Sequence, residues 1–115
     1  MRVAVYGTLK HGGRLAGNMK AIKAKFIKET IIKGFSMFNM GWFPAIIKEE
    51  GSEIHAEVYE VDDNGLNVLD AVEGYPSLYQ RMKTDEGFIY YMDNASKVIG
   101  MRRIKDGNWK VNKNN

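Results

Sequence analysis

The sequence predicts a mixed α+β domain built on a curled sheet or small barrel. Three observations lead there. Many short runs rich in β-branched and aromatic residues alternate with turn residues along the chain. Only two stretches, Arg14 to Lys20 and Leu66 to Glu73, space their apolar residues as a helix does. Helical connections are thus too few for regular βαβ units, and a doubly wound parallel sheet is not expected.

The elements follow in order. Val3 and Val5 lie in a nearly continuous apolar run, as in a strand buried on both faces, and Gly7 ends it. Lys10-His11-Gly12-Gly13 reads as a loop. Leu15 and Met19 then stand at i, i+4 in a short helix. Lys23 to Met40 is rich in β-formers, but Ala24 and Phe26 share one face while Ile27 and Ile31 share the other. That change of phase predicts a bulge near Phe26-Ile27, and Gly34 allows a bend. Gly41-Trp42-Phe43-Pro44 is a turn before the strand Ala45-Ile46-Ile47. Glu49-Glu50-Gly51-Ser52 reads as a polar hairpin connection to a strand from Ile54 to Val61.

Asp62-Asp63-Asn64-Gly65 supplies N-cap chemistry for the helix Leu66 to Glu73. Gly74 is its natural C′ residue, and Pro76 prevents continuation. Leu78 to Thr84 and Phe88 to Met92 form a hairpin across Asp85-Glu86-Gly87. Gly107-Asn108-Trp109 adds a last packed element, and residues 111–115 read as a polar tail.

A chain of 115 residues is expected to form one domain, 1–115, with a self-sufficient core. Its 44% hydrophobic and 11% aromatic residues are those of a globular protein. There is no cysteine, hence no disulfide, no thiolate nucleophile and no Cys-based zinc site. No signal-peptide pattern is found, and no run approaches about 18 apolar residues, so a soluble, cytoplasmic protein is expected. The net charge of +3 gathers in two lysine- and arginine-rich stretches. They lack a common period and interleaved aromatics, so solvated faces are favoured over nucleic-acid binding. Neither nucleic acid nor membrane is expected as a partner. A monomer or weak dimer is.

Two features carry chemistry. The first is the glycine turn Tyr6-Gly7-Thr8-Leu9 at the end of the first strand. Gly7 and Gly12 have the spacing of a phosphate-binding loop, but Gly13 and Arg14 stand where Lys and Ser/Thr are needed. Two readings stay open: a plain strand-ending turn, or a turn whose backbone meets a ligand oxygen. The second feature is Glu73. Leu66 and Leu69 define the buried stripe of its helix, and Glu73 continues that stripe. Burial and the helix dipole would both raise its pKa toward the range of a general base. The other readings are a carboxylate swung into water or paired with Arg81. Tyr75, Tyr79, Tyr90 and Tyr91 either pack the core or line a pocket. His11 and His55 stand alone, so no metal site is expected. No nucleophile elbow surrounds Ser52, Ser77 or Ser96.

These segments resemble the gamma-glutamylcyclotransferase-like family, and within it the short single-domain branch that includes gamma-glutamylamine cyclotransferases. The resemblance rests on five motifs in order, over about residues 3–92. They are Val3-Ala4-Val5-Tyr6-Gly7-Thr8-Leu9-Lys10, then Gly41-Trp42-Phe43-Pro44-Ala45, then Ala56-Glu57-Val58-Tyr59-Glu60-Val61, then Leu69-Asp70-Ala71-Val72-Glu73-Gly74-Tyr75, and last Tyr79-Gln80-Arg81. Ala56 stands where the family usually has glycine, and His11 to Asn18 depart from its common loop pattern.

The resemblance implies a small mixed β-barrel flanked by short helices. It implies a substrate-binding loop at Tyr6, Gly7, Thr8 and Leu9, with Tyr79 also at the substrate, and Glu73 as the catalytic acid/base. It implies a γ-glutamyl amide as substrate, cyclised by its own α-amine to 5-oxoproline with release of a free amine, without metal or cofactor. The alternative is a non-catalytic module on the same barrel that binds a small ligand or a partner protein.

Overall fold

The computed structural model describes residues 1–111; the remainder of the polar tail, from 112 on, lies outside the described residues. The elements are β1 (Arg2–Val5), α1 (Ala16–Ala21), β2 (Lys25–Asn39), β3 (Pro44–Glu60), α2 (Asp63–Glu73), β4 (Gln80–Thr84), β5 (Gly87–Tyr91) and β6 (Arg102–Ile104). A 3₁₀ turn at Ala95–Val98 lies between β5 and β6. The strands form one sheet in the order β4-β5-β1-β3-β2-β6. The expected α+β class holds. The sheet does not close on itself, so "barrel" overstates it.

β1 runs through the interior of this sheet, antiparallel to β3 and parallel to β5. That position explains its unbroken apolar run. Val3 and Val5 face one core cluster with Leu66, Leu69 and Tyr79, while Ala4 faces a second with Ile46, Val58 and Ile89. The first cluster is where α1 and α2 pack, through Met19, Leu66 and Leu69. Trp109 packs against the second, as the last packed element read from the sequence.

The phase change in β2 is a real irregularity. Its register against β3 shifts between Phe26 and Lys28, and again between Lys33 and Phe35, around Gly34. The expected hairpin at Glu49-Glu50-Gly51-Ser52 is not there. β3 runs without reversal from Pro44 to Glu60, and the polar residues bulge opposite Gly34. The physical reason is that β2 pairs with β3 on both sides of this stretch, Lys33 with Glu53 and Phe35 with Lys48, and a contact from the edge strand adds to it. Arg103, on the loop-side neighbour β6, reaches Glu49 at 2.6 Å and Ser52 Oγ at 2.7 Å, holding the polar stretch inside the sheet. The β4–β5 hairpin turns at Asp85-Glu86 as expected.

Candidate functional site

The loop after β1 is held by its carbonyls. The Lys10 N–H donates to the Gly7 carbonyl at 3.0 Å, the Leu15 N–H to the Thr8 carbonyl at 2.8 Å, and the Gly13 N–H to the Lys10 carbonyl at 2.8 Å. The N–H groups of Gly7, Thr8 and Leu9 meet no acceptor among the described residues. Consecutive unmatched N–H groups form a local positive field suited to an oxyanion or carboxylate.

Gly7 is glycine for a packing reason. A Cβ there would lie 2.5 Å from Cγ and 2.7 Å from Cδ of Pro44. Real carbon atoms do not approach so closely, so the loop and the turn before β3 can be in contact only with a bare α-carbon at position 7. On its other side the loop is tied down by Lys10, a buried residue. Its Nζ donates to the Trp109 carbonyl at 2.8 Å and to Asn108 Oδ1 at 3.1 Å. Burial lowers the Lys10 pKa.

α2 delivers the carboxylate. Asp62 caps it, its side chain accepting from the Gly65 N–H at 2.7 Å. Leu66 and Leu69 are buried beneath it, and Gly74 ends it in the left-handed conformation at φ 68°. Glu73 lies in the last turn on the same stripe, partly buried. Among the described residues it has neither a hydrogen bond nor an ion-pair partner. Burial pushes its pKa up to about 7. A position at the negative end of the helix acts in the same direction.

The pairing with Arg81 that the sequence left open is not formed. The Arg81 guanidinium binds Asp70 instead. It is also flanked by the rings of Tyr75 and Phe88, at 4.7 and 4.9 Å. Tyr90 donates its hydroxyl to the other Asp70 oxygen at 2.6 Å. Asp70 thereby fastens the last turns of α2 to β4 and β5. Sequence reasoning missed this role. Its only signal was an acid one helical turn before Glu73.

Glu73 and the Gly7–Leu9 backbone line one cavity of about 210 Å³. All six residues singled out from the sequence border it: Tyr6, Gly7, Thr8, Leu9, Glu73 and Tyr79. The tyrosines serve as both core and wall. Tyr6 donates to the Tyr90 carbonyl at 2.7 Å and Tyr79 to the Pro44 carbonyl at 3.1 Å, so both hydroxyls are committed to the protein. Burial raises the pKa of each, and the two remain neutral. Tyr91 packs instead against the second core cluster, and Tyr75 against Arg81. Phe43, Val72 and Leu78 give the cavity apolar walls. Arg14 also borders it, and nothing in the sequence had singled that residue out. Among the described residues no three His, Asp or Glu side chains converge as a metal site would require.

Comparison with known proteins places the chain among relatives of the same fold. PH0828 of Pyrococcus horikoshii is 33% identical over 112 residues, covering 95% of this chain and 90% of that protein. Its crystal structure superposes with a TM-score of 0.73 at 31% identity, over 94% of this chain and 88% of that one. YtfP of Escherichia coli K12, described as a gamma-glutamylcyclotransferase family protein, is 27% identical over 111 residues, 95% of this chain and 96% of its own. An aig2-like protein from Mus musculus superposes with a TM-score of 0.77 at 25% identity, over 91% of this chain and 86% of that one. Residues 3–111 match the sequence profile described as gamma-glutamyl cyclotransferase, AIG2-like, and the chain belongs to that family.

Proposed function

We propose that this protein cyclises γ-glutamyl amides, releasing 5-oxoproline and a free amine. One observation carries the proposal: a carboxylate whose pKa is raised to about 7, and which has no partner among the described residues, borders the same cavity as three backbone N–H groups unmatched among those residues.

The two halves of that arrangement match the two demands of the reaction. The α-amine of the substrate is mostly protonated at neutral pH and cannot attack. Glu73 takes one proton from it, which a carboxylate of ordinary pKa would do less readily. The freed nitrogen attacks the side-chain carbonyl carbon of the same molecule and closes a five-membered ring. The Gly7, Thr8 and Leu9 N–H groups hold the anionic oxygens of the substrate. Collapse breaks the original amide C–N bond; the leaving nitrogen takes the proton held by Glu73 and then, through the same carboxylate, the second proton that the attacking nitrogen sheds on becoming the ring amide, so the amine departs as an ammonium ion. No atom is gained or lost, and water is not a reactant. Because nucleophile and carbonyl belong to one molecule, the site mainly has to hold the folded-back conformer.

The test is release of 5-oxoproline from a panel of γ-glutamyl amides, wild type beside Glu73→Gln. Glutamine keeps the shape and removes the proton acceptor, so turnover should fall by about 10²–10⁴-fold with the fold intact. Equal release by the two proteins would remove Glu73 from the chemistry.

A further inference from the structure

We propose that Lys10 is a positioning residue, whose ammonium fastens the turn Gly7-Thr8-Leu9 to the segment Gly107-Asn108-Trp109 and so aims the N–H groups of that turn at the substrate. This rests on the cyclisation proposed above and adds the residues that hold its anion-binding loop in place.

Lys10 does not line the cavity that Gly7, Thr8 and Leu9 border, so it can act only through the loop. Its backbone stands at the centre of that loop. The N–H donates back to the Gly7 carbonyl at 3.0 Å, and the carbonyl accepts from the Gly13 N–H at 2.8 Å. A displacement of Lys10 is therefore passed to the turn. The next N–H, of His11, is tied as well, donating to Glu57 Oε1 at 2.8 Å. From the same point the side chain crosses to the far end of the chain. Nζ donates to Asn108 Oδ1 at 3.1 Å and to the Trp109 carbonyl at 2.8 Å, joining residues 98 and 99 positions apart.

The acceptors are fixed in their turn. The His55 N–H of β3 donates to the Gly107 carbonyl at 2.8 Å, and the Gly107 N–H to the Ile104 carbonyl at 3.0 Å. Gly107 lies at φ 64°, and a Cβ there would stand 2.2 Å from the Glu53 carbonyl oxygen. Only glycine lets the segment lie so close to β3. The Asn108 N–H donates to Asp106 Oδ1 at 3.1 Å, and Trp109 packs against the second core cluster. The segment is thus a fixed post beside the loop.

Stability alone does not call for lysine at position 10. Taking an ammonium from water costs free energy, which hydrogen bonds to neutral acceptors offset. No carboxylate of the described residues forms an ion pair with it. An apolar side chain would fill the space without that cost. The ammonium adds direction, because its donors reach two acceptors at once and fix where the loop stands.

The test is steady-state kinetics on a γ-glutamyl amide with Lys10→Met, which keeps the unbranched stem and removes the donors. KM should rise about tenfold, the size of one hydrogen bond to a charged group. A mere loss of folded protein would lower kcat and leave KM as it is. Asn108→Leu should raise KM less, since the Trp109 carbonyl remains. The two changes combined should raise it no further than Lys10→Met alone. An unchanged KM in Lys10→Met, or additive effects in the pair, would overturn the inference. If Lys10→Met does not fold, Asn108→Leu carries the test, and an unchanged KM there overturns it.

Amide hydrogen exchange without substrate separates this inference from the chemistry. In either variant the amides of position 10, Gly13 and Leu15, whose bonds shape the loop, should exchange faster, while those of β1, β3 and β5 keep their protection. No change in the loop, or an equal loss throughout the sheet, would end the inference. If wild type turns over no γ-glutamyl amide, the cyclisation proposal fails, and the exchange pattern still decides whether Lys10 holds the turn.

Discussion

Asp70 holds the guanidinium of Arg81, and Glu73, one turn further along the same helix, is left without an ion-pair partner among the described residues. The two acids are thus in different states, one paired and one not. Asp70 takes the arginine and the Tyr90 hydroxyl and so fixes the end of α2 on the β4–β5 hairpin. Glu73 keeps its proton affinity high because burial disfavours its charged form.

The first expectation concerns pH and rate. If Glu73 must be ionised to accept a proton, kcat/KM for a γ-glutamyl amide should rise through pH 6 to 8. Its midpoint should lie near 7, where burial places the carboxyl. A rate profile flat across that window, with substrate ionisation accounted for, would detach the activity from Glu73.

The same carboxyl links pH to stability. Its pKa in the folded protein lies above the ordinary value of 4.5. The native state therefore binds the proton more tightly than the unfolded chain, and stability is lost as pH rises from about 4.5 to about 7. The loss amounts to at most about 3 kcal/mol. Glu73→Gln should escape it. Melting temperatures of the two proteins should lie close together near pH 4, diverge through neutrality, and stay apart above pH 8 with the variant higher. Parallel curves at all pH values would contradict an unpaired, desolvated carboxylate.

Removing the Asp70 charge should act indirectly. Asp70→Asn leaves a partly buried guanidinium without its counter-ion, at a cost of about 1–3 kcal/mol. It should lower kcat less than Glu73→Gln does, and a urea titration beside steady-state kinetics would show both effects. A variant as inactive as Glu73→Gln but fully stable would mean that Asp70 itself takes part in proton transfer.

Gly7 and Pro44 should be coupled. Gly7→Ala drives a methyl group into the proline ring and should cost about 1–3 kcal/mol. In the background of Pro44→Ala, where Cγ and Cδ are gone, most of that cost should vanish. A double-mutant cycle with no interaction energy would show that Gly7 is required for some other reason.

Much of this was legible in the sequence because it is local. The Leu66, Leu69 and Glu73 stripe, the Asp62 cap and the Gly74 terminus are all set by residues within a few positions of one another, and the helix forms there, starting at Asp63 instead of the Leu66 read from the sequence. The phase change near Phe26-Ile27 is equally local, since alternation along one strand reveals a bulge without its partner. What was not legible depends on distant partners. Glu49 to Ser52 has the composition of a turn and becomes a bulge because β2 pairs with β3 on both sides of it. The contact of Gly7 with Pro44, the burial of Lys10 under Asn108 and Trp109, and Arg14 at the cavity likewise join residues that no periodicity connects. Closure of the sheet was over-read for the same reason. Strand number can be counted along a chain, but edge pairing cannot, and β4 and β6 stay at opposite edges.

The most direct test of cyclisation is to run the reaction in ¹⁸O-labelled water and weigh the products. Intramolecular attack by the α-amine predicts 5-oxoproline with no label and one equivalent of free amine. Glutamate carrying ¹⁸O in its side-chain carboxyl would show that water is the nucleophile and that the site, with Glu73 at its centre, is a hydrolase.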